Sequence, residues 1–328
     1  MANSSNRNGR AYEYAWITSL NDRLEKTSKS EIKQNSSLDA TKRAWDEISQ
    51  DKKATYLVST QVAMDSILDL EPILRDVQLQ DKIILALQDD TRGIEGDVRD
   101  LVISRSAIGW EIGLSIKHNH NAIKHSRLSK SLDFANSWFD SPCSQDYWNA
   151  VSIIFQKLED LKHQRVKWSE LENKESDVYV PLLNAFAEEV CRKNEELDDM
   201  PKRMIEYLVG TCDYYKVICR ESKKDTVIES FNMHGTLSQD SNDLKSSVEI
   251  EKVDLPDELV TIRFKKDSKT TVEAYFNNGW QISFRIHNAS TYVEPSLKFD
   301  VQFVGMPPTV CFIQCKWKDE EQNHEQIA

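Results

Sequence analysis

The sequence predicts an α/β fold with many helices, followed by a small C-terminal all-β module. Three patterns predict it. Tyr12, Trp16 and Leu20 recur at a four-residue step, the apolar stripe of an amphipathic helix. Ile112, Leu114 and Ile116 alternate with Gly113, Ser115 and Lys117, the period-2 pattern of a strand with one wet face. Beyond residue 257, short strand signals follow one another, two of them joined by the hairpin turn Asn277-Asn278-Gly279.

Taken in order, the stripe around Trp16 predicts a helix over 9–24, with Glu13 beside the apolar side. A polar stretch rich in Ser, Lys and Asn follows, and a second helical region over 51–69 ends before Pro72. Ile83-Ile84-Leu85-Ala86-Leu87 reads as a strand, closed by the turn-rich Asp89-Asp90-Thr91-Arg92-Gly93. A hairpin comes next, with strands over 101–103 and 112–116. Helical signals return near Asn121 and continue through Lys124, Arg127, Leu128 and Leu132. Helices over 181–197 and 201–210 each carry a first-turn Pro, and strands are expected over 214–219 and 226–231. The Ser-, Asp- and Glu-rich residues 234–257 read as a linker or long loop. Strands over 260–264, 272–276, 280–286, 297–304 and 309–313 then form the β module. The predicted organisation is a core domain over 1–233, the linker, a module over 258–318 and a frayed tail over 319–328.

Composition narrows the function. The 328 residues carry 42 Lys plus Arg against 54 Asp plus Glu, a net charge of −12 that excludes a generic coat for polyanions. A 39 % hydrophobic fraction with 8 Trp, 10 Tyr and 11 Phe can fill a sizeable core, which excludes disorder of the whole chain. No apolar stretch approaches the ~20 residues of a membrane helix, so no membrane partner is expected. The first ten residues lack the apolar segment of a secretory signal, and a reducing, cytoplasmic location is the expectation. Six cysteines without a CxxC pair read as free thiols, rather than as a disulfide frame or a zinc site.

The hairpin carries the chemistry. Asp100 at the start of one strand can hold a divalent cation, and Lys117 at the end of its neighbour places an ammonium near that ion. This pairing suits phosphodiester hydrolysis, where Mg²⁺ neutralises phosphate oxygens and activates a water that Lys orients or deprotonates. Ser115 stands two before Lys117, where a second acid would share its face. Two residues can replace that acid as catalytic metal ligand. Glu111 lies on the same strand face, roughly 20 Å from Lys117 along a straight strand, so it needs a bulge or kink at Gly113. Glu13 can instead be lowered onto the sheet edge from the first helix. His118, His120, Lys124, His125 and Arg127 crowd after Lys117, a basic exception in an acidic chain and a candidate phosphate-binding face. His118-Asn119-His120 is not read as an HNH nuclease motif, because those residues are spread over a hairpin and a helix in that group.

Asn8-Gly9-Arg10-Ala11-Tyr12-Glu13-Tyr14-Ala15, Gly96-Asp97-Val98-Arg99-Asp100, Trp110-Glu111-Ile112-Gly113-Leu114-Ser115, Lys117-His118-Asn119-His120 and Lys124-His125-Ser126-Arg127-Leu128 together resemble HaeIII-type restriction endonucleases. The resemblance recurs at Val178-Tyr179-Val180-Pro181 and from Gly279-Trp280-Gln281 to Asp300. It implies a type II restriction endonuclease with a PD-(D/E)xK-like core in the first domain, using Mg²⁺ to cut double-stranded DNA at GGCC into blunt ends with 5′-phosphates. A cognate cytosine methyltransferase would protect the host. The motif's Asp falls on Asp100 and its Lys on Lys117, while Ser115 departs from the motif's acid. That departure keeps a second reading open, a sequence-specific DNA-binding protein without catalysis.

GGCC presents guanine O6 and N7 acceptors, which Arg and Lys read best. Gln281, Ser283, Arg285 and His287 alternate along one predicted strand and can face one groove, with Asn288 in the loop beyond. Arg285 is a candidate guanine contact or the partner of a surface ion pair with Glu294 or Asp300, and Trp280 and Phe284 are candidate core residues. A palindromic site suits a homodimer.

Overall fold

The computed structural model describes residues 2–89, 96–119, 123 and 125–317. Its helices are α1 (Ala2–Leu24), α2 (Ser36–Glu47), α3 (Gln50–Leu70), α4 (Pro72–Arg75), α5 (Phe134–Phe139), α6 (Gln145–His163), α7 (Val180–Glu196) and α8 (Met200–Val209). Its strands are β1 (Ser30–Ile32), β2 (Ile83–Leu87), β3 (Leu101–Arg105), β4 (Trp110–His118), β5 (His125–Ser129), β6 (Tyr214–Arg220), β7 (Asp225–Phe231), β8 (Leu259–Phe264), β9 (Thr271–Phe276), β10 (Gln281–His287), β11 (Ser296–Gly305) and β12 (Phe312–Lys316). They form two compact units, the first from 1–120, 211–253 and 309–328, the second from 121–210 and 254–308.

In the first unit the sheet runs β1-β2-β3-β4-β6-β7-β12. β3 and β4 pair antiparallel as a hairpin, and β4 lies parallel to β6. The helical stripe and the period-2 run meet in one core: Tyr12, Trp16 and Leu20 are buried with Ile112, Leu114 and Ile116, together with Val217 and Ile228. Trp16 is fully enclosed, and truncation to Ala there would cost about 3–5 kcal/mol. The polar stretch before α3 holds helix α2. Asn35 caps α2 by accepting from the Leu38 backbone N–H, and Leu38, Thr41 and Ala44 supply a thin buried stripe that Ser and Lys disguised.

The second unit has an antiparallel sheet, β5-β11-β10-β9-β8. Ile282, Phe284 and Ile286 of β10 point inward, and Phe284 packs on Phe186 of α7 with ring centroids 5.2 Å apart. Trp280 and Phe284 are fully buried, as core residues. Helix α6 was missed by the sequence reading, although Tyr147, Val151, Phe155 and Leu158 form its buried stripe at helical spacing.

Several boundaries differ from the expected ones: residues 121–210, expected in the core domain over 1–233, group instead with 254–308, so the unit that holds the C-terminal strands also carries helices α5–α8 and is not all-β. Residues 234–253 belong to the first unit. Their polar side chains and backbone are tied to buried acids: Asp213 accepts from the backbone N–H of His234 and Thr236, Glu71 from that of Ser238, and Asp76 from the Ser241 hydroxyl. A Ser- and Asp-rich composition therefore marks a packed loop here, with Leu237 and Ile250 as its buried anchors. The last expected strand of the β module, β12, pairs with β7 in the first unit's sheet. The expected basic helix is strand β5, whose alternate residues Ser126 and Leu128 are buried as it pairs with β11. The turn at 90–93 and the tail beyond 317 lie outside the described residues.

Candidate active site

Asp100 sits one residue before β3, where the hairpin places it beside the far end of β4. Its backbone N–H donates to the Leu114 carbonyl at 2.8 Å, and its carbonyl accepts from Gln88 at 3.0 Å. With the backbone fixed, the side chain continues the ladder: Oδ2 accepts from the Ile116 N–H at 2.6 Å and from Lys117 Nζ at 2.9 Å. Both side chains stay about a quarter exposed, at 25 % and 28 %. Burial works to lower the Lys117 pKa, but the Asp100 charge, its hydrogen bond and the Glu13 charge outweigh it, and the net shift is upward.

The two candidate acids differ in where they lie. Glu13 of α1 is half-buried and within electrostatic reach of Lys117. Glu111 is exposed at the opposite end of β4, its Oε1 accepting from Arg99 Nη1 at 2.8 Å. Arg99 in turn grips Asp97 through Nε at 2.8 Å and Nη2 at 2.7 Å. The register between β3 and β4 passes through Gly113 unbroken, so no bulge draws Glu111 toward Lys117. Gly113 serves a different purpose. A Cβ there would lie 2.1 Å from Arg99 Cδ, so only glycine lets the Arg99 side chain cross the strand.

Ser115 is 3 % exposed and stands in register with Lys216 of β6, which stands in register with Glu229 of β7. Lys216 Nζ lies 3.5 Å from Glu229 Oε2, both groups buried. Burial, joined by the Lys117 charge, lowers the Lys216 pKa against the opposing pull of Glu229. Sequence reasoning missed this pair. The available signal was a charge at a buried period-2 position in each of two apolar strands.

The expected DNA contacts divide. His118 is not free to meet a phosphate: its Nε2 is bonded to Glu221 Oε1, and its ring stands edge-on to Tyr56 at 5.1 Å. His120 and Lys124 lie outside the described residues, as does the side chain of His125. Arg127 is exposed on β5 and donates to the Ser296 hydroxyl at 3.1 Å. Arg127, Lys298 and His287 stand side by side across β5, β11 and β10, giving one basic row. Burial, the largest influence, holds the His287 pKa below its ordinary value. On β10, Gln281, Ser283, Arg285 and His287 share the more open face, and Arg285 is exposed opposite Asp300 without an ion pair to it or to Glu294 among the described residues. Gln281 packs against Gly305. Asn288 is occupied structurally, accepting from the Tyr179 hydroxyl at 3.2 Å and donating to the Ser290 carbonyl at 2.9 Å.

The hairpin thus clasps a carboxylate to a lysine, with a second acid in electrostatic reach. The family model of the HaeIII restriction endonuclease matches residues 9–307, a span that contains Glu13, Asp100 and Lys117, and the class is thereby a site-specific endonuclease. The type II restriction enzyme HaeIII of Haemophilus aegyptius is 44 % identical over 320 residues, covering 97 % of this chain and 100 % of that enzyme. The chain belongs to the HaeIII restriction endonuclease family. No solved structure matches it.

Proposed function

We propose that the protein hydrolyses double-stranded DNA within the palindrome GGCC, using Mg²⁺ and leaving blunt ends with 5′-phosphates. The observation that carries this reading is the Asp100–Lys117 contact at the end of the β3–β4 hairpin in a chain of this family. The donor set fits the ion. Mg²⁺ is a hard cation that takes one or two carboxylates and completes its shell with water and substrate phosphate. Asp100 offers Oδ1, which takes no hydrogen bond among the described residues, and Glu13 is the better second acid because it lies within electrostatic reach of Lys117, whereas Glu111 stands at the opposite end of β4. Bound there, the ion would neutralise phosphate oxygens and make a coordinated water more acidic.

The chain's own groups do the rest. Lys117 donates N–H bonds, so it can orient the attacking water or hold a non-bridging oxygen of the scissile phosphate, while Asp100 keeps that ammonium in place. The first unit, on this reading, is a PD-(D/E)xK-like catalytic domain in which Ser115 has replaced the motif's acid. The second unit supplies sequence readout: Arg285 to guanine, and the Arg127–Lys298–His287 row to phosphates. A palindromic target suits a homodimer, and a cognate cytosine methyltransferase would protect GGCC in the cytoplasm where both act. Replacing Arg285 with Ala is expected to cost about 1–3 kcal/mol of binding and relax discrimination at one base pair, measured by binding to singly altered duplexes.

The test is incubation with unmethylated plasmid in Mg²⁺ or in EDTA, with sequencing of fragment ends. Blunt ends inside GGCC, absent with EDTA, are the expected result. Fragment ends outside GGCC, or cleavage that survives EDTA, would overturn the proposed specificity or the metal requirement.

A further inference from the structure

One residue beyond Lys117 the parallel strands β4 and β6 carry a second group of chemically reactive side chains. His118 and Cys219 are partners in the strand register, and Glu221 follows where β6 ends. Their ligand atoms, an imidazole nitrogen, a thiol sulfur and a carboxylate oxygen, all lie within 4.8 Å of one another. Around a tetrahedral zinc-type ion with bonds of about 2.0–2.3 Å, ligand atoms stand roughly 3.5 Å apart, so small side-chain rotations close this set on a cation. Sequence spacing gave no hint of it, because His118 and Glu221 are 103 residues apart and a single cysteine contributes.

The surroundings are built for a ligand of this kind. Asn119, in the left-handed region at φ 52°, donates its backbone N–H to the Cys219 carbonyl at 2.8 Å and accepts from the Glu221 N–H at 3.0 Å, so one residue holds the three together. The Tyr56 hydroxyl is buried, has no hydrogen-bond partner among the described residues, and lies within electrostatic reach of both Glu221 and Cys219. A water in the fourth coordination position would give that hydroxyl its partner. Lys52 holds Glu221 through both oxygens, at 2.6 and 2.8 Å. One oxygen can pass to a cation while the other stays on the ammonium.

We infer that His118, Cys219 and Glu221 form a binding site for a borderline-soft divalent transition-metal ion of the Zn²⁺ type, with water as fourth ligand. Thiolate and imidazole select such an ion against Mg²⁺, which keeps this site chemically separate from Asp100. Binding forms the metal–sulfur bond at the expense of the Cys219 S–H, and the released proton leaves to buffer. Because His118 adjoins Lys117 on β4, occupancy also fixes the end of the strand that presents the lysine.

The test uses the full-length protein stripped with EDTA, dialysed and titrated with Co²⁺, a spectroscopic stand-in for Zn²⁺. One equivalent should produce the intense visible bands of tetrahedral cobalt and a thiolate-to-cobalt charge-transfer band, and Zn²⁺ should abolish both by displacement. Cys219→Ser is expected to remove the charge-transfer band. His118→Gln, which leaves the thiol in place, is expected to weaken Co²⁺ binding by about 100-fold. Circular dichroism of each variant separates loss of a ligand from loss of the fold. A wild-type spectrum without the thiolate band, or a band retained unchanged in Cys219→Ser, would overturn the assignment, as would unaltered affinity in a folded His118→Gln.

Discussion

The two ends of β4 carry similar chemistry to different ends. At one, Asp100 contacts Lys117 and leaves a carboxylate oxygen available, with Glu13 in electrostatic reach. At the other, Glu111 and Asp97 share the Arg99 guanidinium, whose side chain is 9 % exposed and lies across Gly113. Both contain acids beside a cation on the same hairpin, yet only the first combines a partly exposed lysine with a carboxylate that has lone pairs to spare. The two ends differ in how exposed the basic partner is and in which acids it gathers, and no spacing rule in the sequence encodes that.

The largest effect expected is on cleavage. Lys117→Ala should reduce single-turnover cleavage of a GGCC duplex by about 10³-fold while duplex binding without metal is retained. Cleavage at the wild-type rate would break the distinction between the two ends of the strand.

Glu71 sharpens the contrast, since it has no cation beside it among the described residues. It is fully buried, accepts from the Tyr215 hydroxyl at 2.5 Å, and leaves Oε2 without a hydrogen-bond partner among the described residues. Burial is the main cause that raises its pKa from 4.5 to about 7. The folded state therefore binds its proton more tightly than the unfolded state. The associated stability is complete below pH 4.5 and is lost as pH rises to about 7, by up to ~3 kcal/mol. Denaturant titrations from pH 4 to 8 should show this decline in the wild type, and Glu71→Gln should flatten that part of the profile.

Smaller effects are expected at the Arg99 end. Gly113→Ala pushes a methyl into Arg99 and should destabilise the protein by about 1–3 kcal/mol, read from the denaturation midpoint. Glu111→Gln removes one half-exposed ion pair and should cost only about 0.5 kcal/mol.

Much of the first unit was legible because its signals are local. The stripe of Tyr12, Trp16 and Leu20 and the alternation of Ile112, Leu114 and Ile116 each announce their own periodicity, and the structure joins them in one core. The pairing of Asp100 with Lys117 was legible for the same reason, since a hairpin brings its two ends together. Nonlocal choices were not legible. The short run 125–129 has the composition of a basic helix and becomes a strand because β11 offers it an edge. Residues 312–316 leave the β module for β7, a preference between two sheets that the run of strand signals does not record. The loop over 234–253 looked like a linker because its polar residues gave no sign of the buried Glu71, Asp76 and Asp213 that bind it. The same limit hid Lys216 and Glu229, each visible as a charge in an apolar strand and meaningful only once β6 and β7 are side by side.

The most direct test is a side-by-side single-turnover cleavage assay of Glu13→Gln and Glu111→Gln on a GGCC duplex with Mg²⁺, at enzyme concentrations that saturate binding. Glu13→Gln is expected to slow cleavage by about 10²-fold, with Glu111→Gln close to wild type. The reverse order, a crippled Glu111→Gln beside an active Glu13→Gln, would contradict the placement of the catalytic centre at the Asp100–Lys117 end of the strand.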